Sequence, residues 1–277
     1  MLKNFTAVHL FLSLMLIAPI TFAKTAKSAE IPSFKGRLFL YEKSNLDGSN
    51  KGRIATYYLG ENVIESFKWH EGSDHATKVR ATMNSQSLDA SLLEALGVDR
   101  TGNEEKYAEL RAGANGTFNM LFGNQKSTFH LPATHWHSYD FDFAGLGYAY
   151  PHYPSKKEIS FHIFDIDMYA DTKPFIDFGT VKMTFVDKDN HLGHKALKYK
   201  IDGAGLDDRG GFIWFHEKHL YLLGFEIKKP DEPGYDSGKM QLMKVINLTQ
   251  EQWLQFQMDA LSSSTPPNTK SSPVAEH

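Results

Sequence analysis

The chain has no cysteine among its 277 residues. That absence excludes disulfides, thiolate nucleophiles and thiolate metal ligands. It also excludes a lipid-accepting cysteine behind an export signal. Stability must come from a packed core, and the length is ample for one. Neither sign of charge is in large excess: 30 Lys and Arg stand against 33 Asp and Glu, for a net charge of −3. No basic stripe with interleaved aromatics occurs, which argues against nucleic-acid binding. Familiar catalytic signatures are missing too. No serine sits in a GxSxG elbow, and no HExxH occurs. The glycine-rich stretch GAGLDDRGG (203–211) lacks the Lys-Ser/Thr pair of a phosphate loop. Beyond the first residues, no apolar run is long enough to cross a bilayer.

Of what is present, the leader comes first. MLKNFTAVHLFLSLMLIAPITFA places Lys3 before an apolar run from Ala7 to Ala18, with Thr21-Phe22-Ala23 as a cleavage site. This is the layout of a secretory signal peptide, and the run is too short to span a membrane. The expectation is a signal over 1–23, a flexible lead-in over 24–32, and a periplasmic or secreted protein with no transmembrane segment after cleavage. Residues 262–277 (SSSTPPNTKSSPVAEH) are rich in Ser, Thr and Pro and read as a disordered tail. A single β-rich domain is expected between them, over 33–261.

The domain opens as a meander. Asn45, Asp47 and Gly48 supply one turn and Gly60-Glu61-Asn62 the next. In the third strand Val63, Phe67 and Trp69 share one face, and Ile64, Ser66 and Lys68 the other. A helical interlude follows: Ser87 or Asp89 as cap, then Leu92, Leu93 and Leu96, stopped by Gly97. EEKYAELRAG reads as a second short helix ended by Gly113, and Gly123-Asn124 turns a hairpin. Alternation resumes in Val181, Met183 and Phe185 and in Leu197, Tyr199 and Ile201. Thr249 and Gln252 have capping-box spacing ahead of Trp253, Leu254, Phe256 and Leu261, which predicts a C-terminal helix. The fold class expected is mainly β: a large curved antiparallel sheet, a half-barrel or open barrel, with a short helical insertion and that last helix.

Three runs in the last third, GHKALKYKIDGAG, GGFIWFHEKHLYLLGFEI and MQLMKVI, share a layout with exported bacterial proteins of unknown function. WHSYDFDFAGL (136–146) and LYEKSNLDGS (40–49) resemble short blocks of uncharacterised proteobacterial exported proteins. Over residues 36–246 the layout is similar to the curved half-barrel of the LolA/LolB lipoprotein carriers. The resemblance implies an apolar cavity for acyl chains or another greasy ligand, and it brings no catalytic residue.

Two functions compete. In the first, a non-enzymatic envelope carrier without cofactor binds a lipid or other apolar small molecule against a concave aromatic face, where Phe39, Tyr41, Phe67, Trp69, Phe118 and Trp214 would lie. Packing into the core is the plainer fate of each. In the second, HWHSYDFDF (135–143) holds a metal for binding or hydrolysis. His135 and His137 point to one side if extended, and Asp140 and Asp142 repeat that spacing, with His130 upstream. This donor set suits zinc better than calcium. The plainer reading has Trp136 and His137 packed at a strand edge. His191 with His194, and His216 with His219, read as hairpin-turn residues, and Asp165 and Asp167 as a strand running into an acidic loop.

Overall fold

A computed structural model describes residues 31–130, 135–139, 141–166, 175–230 and 234–262. The expected signal over 1–23, the lead-in up to residue 30 and the tail from 263 lie outside these residues. Two strand series build the fold. The first is β1 (Arg37–Ser44), β2 (Gly52–Tyr58), β3 (Val63–Trp69), β4 (His75–Met83), β5 (Ala90–Asp99), β6 (Glu104–Ala112), β7 (Thr117–Phe122) and β8 (Gln125–His130). The second is β9 (Trp136–Ser138), β10 (Glu158–Ile166), β11 (Phe175–His191), β12 (His194–Asp202), β13 (Gly211–His216), β14 (Leu222–Ile227) and β15 (Gly238–Asn247). Antiparallel pairing of β1 with β15 joins the two series into one sheet of fifteen described strands, with β8 and β9 at its ends. β9 pairs in parallel with β10. The helices are α1 (Ala144–Ala149) and α2 (Gln250–Ser262). Among the described residues, no helix is long and apolar enough to cross a membrane.

The sheet curls until its ends nearly meet. Trp136 on β9 packs edge-on against Phe118 on β7, with ring centroids 5.3 Å apart, although the two strands stand far apart in sheet order. The Trp136 amide donates to Asp89 Oδ1 at 2.8 Å, beside the β4–β5 turn. The architecture is therefore the expected curved, open barrel.

The helical interlude is not helical. Residues 90–99 and 104–112 are β5 and β6. Two facts disguise β5. Ser91 is bulged out of the register with β4, which stretches the spacing of Ala90 and Leu93 to three residues. The strand is also packed on both faces: Ala90 and Leu93 join the inner core, while Val98 joins an outer one. Strand β6 is rich in good helix formers, but they serve ion pairs across to β5 and along β6 itself. Lys106 bonds Glu94 at 3.2 Å and Glu109 at 2.6 Å. Tertiary pairing overrides propensity here.

Burial on both faces is general in the N-terminal half. Leu38, Ala55, Tyr57, Phe67 and Trp69 face outward and are covered by α2 through Trp253, Phe256 and Leu261. Trp253 stacks on Tyr57 at 5.1 Å, and Phe256 meets Trp69 edge-on at 6.0 Å. The capping box forms as its spacing predicts: Thr249 N–H donates to Gln252 Oε1 at 2.8 Å, and Gln252 N–H donates to Thr249 Oγ1 at 3.3 Å. A buried polar network fastens the helix to the sheet. Glu65 accepts from Trp253 Nε1 at 2.5 Å and from Arg80 Nε at 2.6 Å. Lys78 bonds Gln257 Oε1 at 3.2 Å and pairs with Glu104.

Candidate functional site

The loaded stretch begins with β9 at the sheet's end, and residues 141–143 lead into α1, with which they pack into the hollow of the sheet. Phe143 packs edge-on to Phe225 on β14 at 5.4 Å. Tyr150 stacks on Phe215 of β13 at 3.7 Å and shares a 2.8 Å hydroxyl contact with Tyr199 of β12. On the other wall, Asp142 pairs with Lys43 of β1 at 3.5 Å and with Lys68 of β3 at 3.1 Å. All six residues of α1 are buried. Both Asp142 and Phe143 have positive φ, 48° and 57°, a backbone kink that turns the chain inward.

The four expected metal ligands are placed as follows. His135 (φ 66°) donates through Nδ1 to the Ser87 carbonyl at 2.7 Å. His137 is buried against Phe161, with ring centroids 5.1 Å apart, and its Nε2 lies 3.5 Å from the Tyr153 hydroxyl. Burial pushes its imidazole down to about 3. Asp142 is engaged with the two lysines, and Asp140 lies outside the described residues. His130 is exposed on β8. The His135 ring meets that of Tyr153 at 5.8 Å, but with φ 66° His135 lies outside the extended strand on which the shared side of His135 and His137 was premised. Among the described residues, no group of three or more His, Asp or Glu is arranged to hold a metal ion. Asp89 joins this corner, and burial pushes its carboxyl up to about 6.

The six aromatic candidates separate onto different surfaces. Phe39, Tyr41 and Phe118 lie in the inner core, Phe67 and Trp69 in the outer core under α2. Trp214 belongs to the same cluster as Phe39, Tyr41 and Phe118 and stacks flat on His191 at 4.1 Å. A shared concave face is what the alternation of one-sided strands would give. Two-sided burial and the inserted 141–153 segment defeat it. The space left beside Phe39 and Tyr41 is about 10 Å³, at the threshold for one water.

Of the other singled-out residues, His216 and Asp165 make local contacts. His216 Nδ1 accepts from the amides of Lys218 and His219 at 3.1 Å, a local turn contact. Asp165 accepts from Ser138 Oγ at 3.4 Å and from the Ile166 amide at 2.8 Å. Asp167 lies outside the described residues.

An opening does exist at one end of the barrel, where β2 begins, β3 ends and β4 begins. It measures about 280 Å³. Ile54, Trp69 and Tyr235 contribute apolar surface, and Lys43, Lys68 and Arg53 contribute charge. The Lys43 ammonium lies 5.0 Å from the centre of the Tyr235 ring. Arg53 is held at the rim by Glu42 at 2.7 Å and Glu71 at 2.8 Å. The lysines were missed at the level of sequence because Lys68 shares a strand face with Ser66, which reads as a wet face. Both line the inside: Ser66 is fully buried, and the Lys43 and Lys68 side chains are 3% and 11% exposed.

No family model matches the chain, and no curated protein matches it. Among solved structures it is similar to a β-barrel-like protein of the domain of unknown function DUF1849 from Brucella abortus. The two share 11% identity over 77% of this chain and 98% of that one, with a TM-score of 0.37. The described strands of this chain themselves form one large curved sheet, open between β8 and β9. Nothing in the likeness singles out the LolA/LolB carriers.

Proposed function

We propose that this chain is a non-enzymatic binding protein of the cell envelope, and that its ligand occupies the cleft at the barrel end rather than the hollow. The observation that carries this reading is the filled interior. Residues 141–153 take the place that an apolar ligand would need, while the cleft of about 280 Å³ stays open beside Lys43 and Lys68. That volume sits near the lower end of the roughly 300–1,000 Å³ typical of small-molecule sites. An envelope location follows from the expected signal over residues 1–23.

Native mass spectrometry of the protein purified from the exported fraction tests the reading. The expected polypeptide starts at Lys24 and carries one small-molecule adduct. Thr77→Trp, at an exposed lining position of β4, should lose the adduct. An adduct heterogeneous in CH₂ steps and retained by Thr77→Trp would place the ligand in the hollow and overturn the proposal.

A further inference from the structure

The two ends of the sheet are finished differently. At one end β9 is three residues long, and the Trp136 amide on its outer edge is taken by Asp89 Oδ1 at 2.8 Å. At the other end β8 has six residues, and all but Phe129 are exposed. The register of its hairpin settles which backbone groups are bare. Gly123 N–H donates to the Tyr107 carbonyl and Gly113 N–H to that of Thr117, both at 2.8 Å. The odd-numbered residues of β7 therefore serve β6, and the even-numbered ones serve β8. Phe122 is paired with Gln125, Met120 with Ser127 and Phe118 with Phe129. Gln125, Ser127 and Phe129 thus turn their amides and carbonyls toward β7, and those of Lys126, Thr128 and His130 point outward. Among the described strands none takes them up. A bare edge is a template for another strand, and its usual guards are sparse here: β8 has no proline, and Lys126 is its only Lys, Arg, Asp or Glu.

We propose that β8 pairs with the β8 of a second copy of this chain, antiparallel about a two-fold axis at Thr128. In that register every bare position meets a bare position: Thr128 faces its counterpart, and Lys126 faces the His130 of the second copy. Lysine never stands opposite lysine, so no like-charge pair opposes the join. Pairing also stops at two copies. A head-to-tail join would need β9 as the second edge, and β9 is short and already engaged with Asp89. The product is a closed, isologous dimer rather than a filament. Six residues a side make a small interface, so the dimer is a reversible one.

Sedimentation velocity of the protein purified from the exported fraction tests this, at concentrations from about 1 to about 100 µM. The dimer fraction should grow across that range. Thr128→Pro removes an outward amide that β7 does not use, so the hairpin should survive. Self-association should nevertheless weaken about tenfold or more, because the pair loses hydrogen bonds at its centre. Thr128→Lys sets two charges face to face at the axis and should weaken it likewise, whereas Thr128→Val should keep the dimer. Far-UV circular dichroism matching the wild type separates lost pairing from lost folding. Because the chain has no cysteine, Thr128→Cys places one reporter thiol on each copy. Directly opposed residues of a hydrogen-bonded pair lie about 5.5 Å apart, within disulfide reach, so mild oxidation should cross-link this variant. Val186→Cys, exposed on β11, should stay uncross-linked. Monomer at every concentration overturns the proposal and leaves the edge to a strand of another protein. A dimer that survives both Thr128→Pro and Thr128→Lys, or a Thr128→Cys variant that does not cross-link, places the interface elsewhere and overturns it as well.

Discussion

At the scale of single residues, the histidines and aspartates of HWHSYDFDF are divided among different tasks. His135 ties the chain to the Ser87 carbonyl, His137 sits in a dry corner, and Asp142 neutralises two lysines. The His137 Nδ1 atom is buried without a hydrogen-bond partner among the described residues. Such a ring is tolerated only neutral. Its ordinary value of 6.5 applies to the unfolded chain, and about 3 to the folded one. Between those limits the unfolded chain takes up a proton that the folded chain refuses. Stability therefore falls as pH drops below 6.5, by at most about 1.4 kcal/mol per pH unit. Asp89 works in the opposite direction. Its folded value of about 6 lies above its ordinary 3.8, so its burial penalty is relieved as pH falls through 6. In His137→Gln the destabilising slope should vanish and leave stability flat or rising from pH 6.5 to 4. Urea midpoints across that range check this, and equal acid slopes in the two proteins would refute it.

At the scale of elements, legibility depended on how many faces each segment buries. The hairpin turns at Asn45–Gly48, Gly60–Asn62 and Gly123–Asn124 were readable because turn chemistry is local. So was α2, whose cap and apolar stripe are both local signals. Strands β5 and β6 were not readable. A bulge at Ser91, burial on two faces and a run of helix formers together imitate helical spacing. The pairing of β1 with β15 joins residues some two hundred apart in sequence, and no local pattern announces it. Helix α2 also shows which contacts matter within an element. Glu65 is enclosed beneath it and serves Trp253 and Arg80 at once. Glu65→Ala strands both donors and is expected to cost about 3–5 kcal/mol. Leu254→Ala, on the exposed face of the same helix, should stay within about 0.5 kcal/mol. Urea denaturation of both variants decides the matter, and a loss below about 1 kcal/mol for Glu65→Ala would show that the network is dispensable.

At the scale of the whole molecule, the curved open sheet was foreseeable from strand number and alternation, since so long a sheet must curl. What fills it was not. The inserted segment begins in the most chemically loaded run in the sequence, and the two lysine partners of Asp142 lie 99 and 74 residues earlier, on strands where they look solvated. Everything proposed about function depends on that segment staying in place, because a hollow that empties would again offer an apolar lumen. Amide hydrogen exchange over residues 143–150 tests this most directly. With Gly147 N–H bonded to the Phe143 carbonyl at 2.8 Å and all of α1 buried, these amides should exchange as slowly as those of β1 and β15, through global unfolding alone. Exchange within seconds under native conditions would mean that the segment leaves the barrel. The hollow, and not the cleft, would then be the place to look for the ligand.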